Sequence, residues 1–219
     1  MSRRDNTDAR CRACMMHASL CICALIPRLV TTSRLVLLVH YREARKPTNT
    51  GQLAARCLAG SRVEIVGDRD RPLRLPLVDP GEHAVLLYPS DDAMPVSELA
   101  ARGTAITVVV PDGNWRQAAK MRRRIPGLDR IPRVTLGDPR PTEYGLRAEP
   151  QVGGLATLEA IAQAWRILEG EAGAAVEAAM LHVFRVMVSR TLWLRGALPA
   201  DQVVGGLPGP HDAARADAG

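Results

Sequence analysis

Residues 105–124 read AITVVVPDGNWRQAAKMRRR, an apolar run that is followed by a polar turn and then by a basic segment. The run from Ala105 to Val110 is short and bounded by polar residues, which is typical of a buried strand. The turn at 111–113 ends this strand, and a helix is predicted from about Trp115 to Arg124. A strand that passes through a tight turn into a helix is the building unit of an α/β fold.

The alternation of strands and helices continues on both sides of this unit. Further strands are predicted at Leu35–Val39, Val63–Val66, Ala84–Tyr88 and Ile131–Leu136, and further helices at about 50–60, 155–169 and 173–195, with Ser97 as the cap of a short one. Most of these strands are continuous apolar runs, the pattern of a mostly parallel sheet covered by helices on both faces. Ligands of such sheets bind at the carboxyl ends of the strands, where the polar residues of this chain collect.

The composition excludes several classes of protein. The chain has 219 residues, of which 47% are hydrophobic and 24% charged, so it is not disordered as a whole. No unbroken apolar run approaches the roughly 18 residues of a membrane helix, and no P-loop, G-x-G-x-x-G, H-E-x-x-H or G-x-S-x-G motif occurs. The apolar run nearest the N-terminus, Leu20 to Ile26, is short and broken by two cysteines. We therefore expect a cytoplasmic protein that has no secretory signal and no membrane contact.

Positive charge is concentrated in one helix. The net charge is +6, and all but two of the 29 basic residues are arginines. The basic residues of the helix after Trp115 have no acid among them: Arg116, Lys120, Arg122, Arg123 and Arg124. Such a run is often only a solvated face, but here it adjoins the predicted ligand edge, which favours binding of nucleic-acid phosphates.

Four cysteines lie close together near the N-terminus. Cys11, Cys14, Cys21 and Cys23 have the spacing C-x2-C-x6-C-x-C, and four thiolates suit a structural Zn²⁺ ion. His17 is an alternative ligand, and an iron–sulfur cluster or unliganded thiols are alternative states. Cys57 stands apart, in the apolar run of a predicted helix, and is expected in the core.

Two positions at the predicted ligand edge allow more than one interpretation. Asp112 either caps the helix that follows or points into the crevice as a hydrogen-bond acceptor or base. Trp115 is either part of the core or a stacking surface for a base.

Several motifs occur together in one order along the chain. They are the four cysteines, HYRE at 40–43 with TNTG at 48–51, LLYPSDDA at 86–93, VVPDGNWRQA at 109–118, EYGLRAEP at 143–150 and GLATLEA at 154–160. In these motifs the chain resembles the DTW-domain family, the tRNA-uridine aminocarboxypropyltransferases, over about residues 11–170. Where the family has D-x-T-W, this chain has Asn114 at the hydroxyl position.

The resemblance implies a fold and a reaction. The family is similar to SPOUT-type proteins, so the expected fold is an α/β, SPOUT-like, mostly parallel sheet with a C-terminal trefoil knot. The implied reaction transfers the 3-amino-3-carboxypropyl group of S-adenosylmethionine (SAM) to N3 of a uridine in tRNA and releases methylthioadenosine. The expected organisation is a zinc-binding cysteine segment at 1–30, a catalytic domain at 31–198 and a disordered tail at 199–219. No obligate protein partner is implied.

The resemblance also suggests roles for individual residues. The catalytic candidates are Asp112 as the group that accepts the N3 proton, with Asn114, Trp115 and, as the second candidate base, His40. The candidates for holding SAM are Leu87, Tyr88, Ser90, Leu136, Tyr144, Leu146 and Thr157. The candidates for binding tRNA are Arg42, Arg45, Asn49, Arg147 and the basic residues of the helix after Trp115.

Three other functions stay open on the sequence. One is an rRNA-directed relative that catalyses the same transfer reaction, although the cysteine segment favours tRNA. A SPOUT RNA methyltransferase would have the same fold and the same group donor. A non-catalytic zinc-containing RNA-binding module would have no need of a SAM pocket, so SAM binding discriminates it from the enzymes.

Overall fold

The architecture is seen in a computed structural model that describes residues 9–100, 104–146 and 154–209. The strands are β1 (Arg34–His40), β2 (Arg62–Val66), β3 (Ala84–Leu87), β4 (Met94–Pro95), β5 (Thr107–Asp112) and β6 (Arg133–Thr135). They form one sheet in the order β2-β1-β5-β3-β6-β4, and each neighbouring pair is parallel. The predicted parallel sheet of an α/β fold is confirmed.

The helices cover this sheet on both faces. They are α1 (Tyr41–Ala44), α2 (Thr50–Cys57), α3 (Val96–Ala100), α4 (Trp115–Arg124), α5 (Thr157–Leu168) and α6 (Gly173–Leu194). Because side chains alternate along a strand, Leu35 and Leu37 of β1 pack on one face in an apolar cluster with α2, α5 and α6. Val36 and Leu38 pack on the other face against Met121 of α4.

The predicted boundaries differ from the observed ones in a few places. Strand β5 continues to Asp112, so Pro111 and Asp112 are its last residues rather than part of the turn. Ser97 lies inside α3, which begins at Val96, so the prediction that it caps this helix is wrong. Strand β4 and helix α1 were not predicted, because two and four residues are too few to show a period.

The cysteine segment packs on the main body of the chain. Met16, Leu20 and Ile22 are buried in the same apolar cluster as one face of β1. Arg190 of α6 is also buried, and its guanidinium donates a 2.8 Å hydrogen bond to the carbonyl oxygen of Cys21. The segment therefore shares its core with the α/β sheet.

The segment after α6 is packed over its first part. Val203 is buried, and the backbone N–H of Val204 donates a 3.1 Å hydrogen bond to Oγ of Ser189. The tail that was expected to be disordered from Pro199 therefore contacts the domain before Gly209, and residues 210–219 lie outside the described part.

One helical segment of the described residues, Gly170–Leu194, is long and apolar enough to cross a membrane. The apolar window of this segment is 56% buried inside the protein, and Met180 and Phe184 of α6 are fully buried. Burial against α5 and α2 is typical of a core helix.

Candidate functional site

A cleft of about 430 Å³ opens at the carboxyl ends of the central strands. Its walls come from the loop before α2, the ends of β3, β5 and β6, and the N-termini of α4 and α5. Strand β5 is adjacent to both β1 and β3, so its last residue lies at the middle of this edge. The cleft therefore lies where ligands bind in parallel sheets, and its size is that of a small-molecule site.

Asp112, the last residue of β5, lies on the cleft wall and is only 5% exposed. Nδ2 of Asn49 donates a 2.5 Å hydrogen bond to Oδ2, and the Thr157 hydroxyl donates a 2.6 Å hydrogen bond to Oδ1. One donor on each oxygen fixes the plane of the carboxylate and compensates for its removal from water. Asp112 thus presents an oriented, negatively charged acceptor to the cleft.

Gly51 allows α2 to approach this carboxylate. A Cβ atom at Gly51 would lie 2.8 Å from both Cγ and Oδ2 of Asp112, closer than van der Waals contact. The close approach to Asp112 therefore requires a residue without a side chain at position 51, which explains the glycine of TNTG.

The cap of α4 is Asn114 and not Asp112. Oδ1 of Asn114 accepts a 2.9 Å hydrogen bond from the N–H of Gln117, whose side chain accepts a 2.8 Å bond from the N–H of Asn114. Asn is at least as good an N-cap as Thr, so the departure from D-x-T-W keeps this function. The interpretation of Asp112 as the helix cap is wrong, because its oxygens face α2 and α5.

Aromatic side chains form one side of the cleft. The rings of Tyr88 and Trp115 meet edge to face, with centroids 6.3 Å apart. Arg122 is a residue of α4, and its guanidinium lies over the Tyr88 ring, 5.3 Å from the ring centroid. Trp115 is half-buried and lines the cleft, so one ring has both an apolar contact and an open surface.

Tyr144 lines the opposite side. Its ring stacks on Phe184 with centroids 5.8 Å apart, and its hydroxyl donates a 2.9 Å hydrogen bond to the carbonyl oxygen of Thr48. The loop that carries it is held by Glu159 of α5, which accepts hydrogen bonds from the Thr142 hydroxyl and the Glu143 N–H, both at 2.6 Å. Tyr144 is therefore both packed on the core and part of the cleft.

The predicted SAM-binding residues divide into two groups. Those that line the cleft are Leu87, Tyr88, Leu136, Tyr144 and Thr157. Ser90 is not among the cleft-lining residues, and Leu146 is buried in the main apolar cluster. Thr157 uses its hydroxyl to hold Asp112, a contact that the sequence pattern did not indicate.

His40 points away from Asp112. Val39 pairs with Asp112 across the β1–β5 ladder, and the next side chain of a strand points to the opposite face. His40 therefore lies on the α4 side, where its Nδ1 accepts a 3.3 Å hydrogen bond from the N–H of Arg42. Burial lowers the pKa of His40 below its ordinary value of 6.5, and the positive charge of Arg42 lowers it further.

The predicted RNA-binding residues are found in three environments. Arg116, Lys120, Arg123 and Arg124 are exposed on α4, and Arg42 and Arg45 are exposed after β1. Asn49 is 9% exposed and caps α2 by accepting a 2.7 Å hydrogen bond from the N–H of Gln52. Arg147 lies outside the described residues.

Glu43, Lys46 and Thr48 are among the cleft-lining residues that were not predicted as site residues. Glu43 is buried, and one of its oxygens lies 2.5 Å from Nζ of Lys46. Both line the cleft together with Thr48. Glu43 and Thr48 belong to the HYRE and TNTG motifs, so these motifs were the available signal.

The four clustered cysteines form a second candidate site. Their Sγ atoms all lie within 4.8 Å of one another, with 3.6 Å between those of Cys11 and Cys23 and 3.7 Å between those of Cys14 and Cys21. Burial raises the pKa of Cys11, but the backbone N–H groups of Cys14 and Ala13 act against it and lower the pKa to about 7. Burial raises the pKa of Cys14 and Cys21 above the ordinary value. The four sulfur atoms lie close enough together to bind one metal ion, and binding would displace the thiol protons.

Comparisons with known proteins identify the family of the chain. The model of the DTW domain matches residues 8–192. The chain is 28% identical over 172 residues to the protein of Drosophila melanogaster named tRNA-uridine aminocarboxypropyltransferase 2, an alignment that covers 75% of this chain and 68% of that protein. No solved structure matches the chain. Since the family model spans the cysteine cluster, the whole sheet and nearly all of α6, the chain belongs to the DTW-domain family.

Proposed function

We propose that this protein transfers the 3-amino-3-carboxypropyl group of SAM to N3 of a uridine in tRNA. The observation that carries the proposal is the buried Asp112 carboxylate, held by Asn49 and Thr157 on the wall of a cleft in a DTW domain. The name of the Drosophila relative supports the same reaction.

The cleft has the chemical composition that this reaction needs. Leu87, Leu136 and the aromatic side chains offer apolar walls for an adenosine, and Asp112 offers one oriented acceptor. SAM supplies a carbon atom that is activated by its bond to the sulfonium. Fixing this carbon next to N3 is the main task of the protein, because positioning alone can supply several kcal/mol of the barrier.

Asp112 is the proposed proton acceptor. Uridine N3 loses its proton to a carboxylate oxygen of Asp112, and the electron pair of N3 forms the new N–C bond. The C–S bond breaks at the same time, and its pair stays on sulfur in methylthioadenosine. His40 is a poor alternative base because it lies on the other face of the sheet.

The tRNA backbone is proposed to lie on α4. This helix begins on the cleft wall at Trp115, and its exposed residues Arg116, Lys120, Arg123 and Arg124 continue outward from there. Phosphate contacts of this kind position a nucleic acid without reading its sequence.

The metal is proposed to be a structural Zn²⁺ held by Cys11, Cys14, Cys21 and Cys23. A tetrahedral ion with Zn–S bonds of about 2.3 Å requires S···S separations of about 3.8 Å, close to the two measured here. A four-iron cluster would bind each thiolate to a separate iron and would hold the sulfurs farther apart.

The C-terminal trefoil knot that the SPOUT resemblance implies stays a prediction.

A product assay tests the reaction. Purified, zinc-loaded protein is incubated with SAM and a panel of unmodified tRNAs, and the nucleosides are then weighed by mass spectrometry. We expect a uridine that carries the aminocarboxypropyl group, together with released methylthioadenosine. A methylated nucleoside would instead assign the protein to the methyltransferases, and absence of both product and SAM binding would leave the RNA-binding module.

A further inference from the structure

A second, smaller cavity lies between the cysteine segment and α2. Its volume is about 180 Å³. Cys14 and Met15 form the wall on the side of the cysteines, and Leu53 and Arg56 form the wall on the side of α2. Neither the proposed reaction nor the proposed metal site uses this space.

The second cavity adjoins the catalytic cleft. Lys46 and Asn49 line both of them. The same Asn49 donates its hydrogen bond to Asp112, so the boundary between the two spaces is one side chain away from the proposed base. From Asn49 the cavity extends along α2 to Arg56, a distance of about 10 Å at 1.5 Å per residue.

The lining of the cavity combines apolar surface with positive charge. Met15, Leu53 and Met187 provide apolar surface, and Lys46 and Arg56 provide two cations. None of the described residues that line it is acidic. The ammonium group of Lys46 has three N–H donors, and one of them contacts Glu43. The Lys46 side chain is 44% exposed. Arg56 is exposed, with one nitrogen 3.6 Å from Sγ of Cys23.

A nucleotide is the ligand that matches this combination. A base has two apolar faces and is bound in proteins by packing against flat or soft apolar side chains, while its phosphate needs cations. A uridine in the cleft is joined to neighbouring nucleotides, at least one of which must leave past the rim of the cleft. Lys46 and Asn49 line both the cleft and the second cavity, so a nucleotide that leaves the cleft past these two residues reaches the second cavity.

We propose that this cavity binds the nucleotide next to the modified uridine, with the base beside Met15 and Leu53 and the phosphate between Lys46 and Arg56. This inference rests on the proposed function. It gives the cysteine segment a part in substrate binding, because Cys14 and Met15 form one wall of the subsite.

The test compares the full-length protein with two variants that change the cavity. Arg56→Gln removes a cation from it, and Val63→Phe adds a ring to its lining. Arg28→Gln is the matched control, since Arg28 is exposed and lines neither cavity. Binding of fluorescein-labelled unmodified tRNA transcripts is measured by anisotropy over a salt series, SAM binding by calorimetry, and zinc content by mass spectrometry.

The proposal predicts a divided result. We expect both cavity variants to bind tRNA about five- to twentyfold more weakly, with SAM affinity and zinc content unchanged, and Arg56→Gln to lower the salt slope by about one. Unchanged tRNA affinity in both variants would overturn the proposal and leave the proposed function intact. A loss of SAM affinity would also overturn it, by assigning the cavity to the group donor. Failure of the wild-type protein to bind any tRNA would reject the proposed function itself.

Discussion

The hydroxyl of Thr157, at the start of α5, lies 2.6 Å from Oδ1 of Asp112, at the end of β5. This bond joins the end of β5 to the start of α5, and both line the cleft. Together with the 2.5 Å bond from Asn49, it fixes the orientation of Asp112. The three residues belong to three separate segments of the chain: the end of β5, the loop before α2 and the start of α5.

Loss of the Asp112 carboxylate should abolish most of the activity. For Asp112→Asn we expect the single-turnover rate to fall roughly 10²- to 10⁴-fold, which is the usual contribution of a general base. SAM affinity should change little. Full activity in this variant would contradict the assignment of Asp112 as the proton acceptor.

Loss of the Thr157 hydroxyl should have a smaller effect of the same kind. A hydrogen bond to a charged group contributes about 1.5–3 kcal/mol, so Thr157→Val should slow single turnover roughly ten- to hundredfold. Thr157→Ser keeps the hydroxyl and serves as the control. Equal rates for the Val and Ser variants would show that the bond does not support the reaction.

A methyl group at Gly51 should displace the carboxylate. In Gly51→Ala the new Cβ would lie 2.8 Å from Asp112, whose side chain is held by two hydrogen bonds and cannot move freely. We expect a loss of about 1–3 kcal/mol in unfolding free energy, measured in urea, and a loss of activity. Gly145→Ala is the control, because no atom lies within 4 Å of its Cβ position. An effect of similar size in both variants would contradict the steric explanation.

The lowered pKa of His40 predicts a pH dependence of stability. Burial is the largest cause of the lowered pKa, and the positive charge of Arg42 is the next. Lys120 and Lys46 also lower the pKa, whereas Glu43 raises it. Because the unfolded chain binds this proton more readily, His40 reduces the stability of the fold as the pH falls below about 6.5, and has no such effect above it. Urea titrations at pH 7.5 and pH 5 should therefore show a smaller loss for His40→Gln than for the wild type. An equal loss would show that His40 does not contribute.

Removal of one cysteine ligand should release the metal and loosen the fold. We expect the wild type to bind one zinc ion and Cys14→Ser to bind none. The variant should also melt at a lower temperature, since Met16, Leu20 and Ile22 share the main core. Cys57→Ser is the control, because Cys57 is buried far along α2 and is not part of the cluster. Normal zinc content in Cys14→Ser would exclude it as a ligand.

The architecture was largely readable from local patterns. Five of the six strands, the parallel sheet, the four-cysteine cluster and the place of Asp112 at the ligand edge of the sheet all follow from short stretches of sequence. Burial on both faces requires a continuous apolar run, and metal ligands require close spacing, so both leave local signals.

The environment of each site residue required the tertiary structure. Asn49 is 63 residues from Asp112 in the sequence, and Thr157 is 45 residues from it. No local sequence pattern predicts that these three residues contact one another. Their meeting depends on the position of β5 between β1 and β3, and strand order is not encoded in the apolar pattern of any one strand. The position of His40 also required the tertiary structure. The sequence places His40 at the carboxyl end of β1, which is the edge of the sheet where the cleft lies. The register of β1 against β5 turns it to the opposite face, because successive side chains of a strand point in opposite directions.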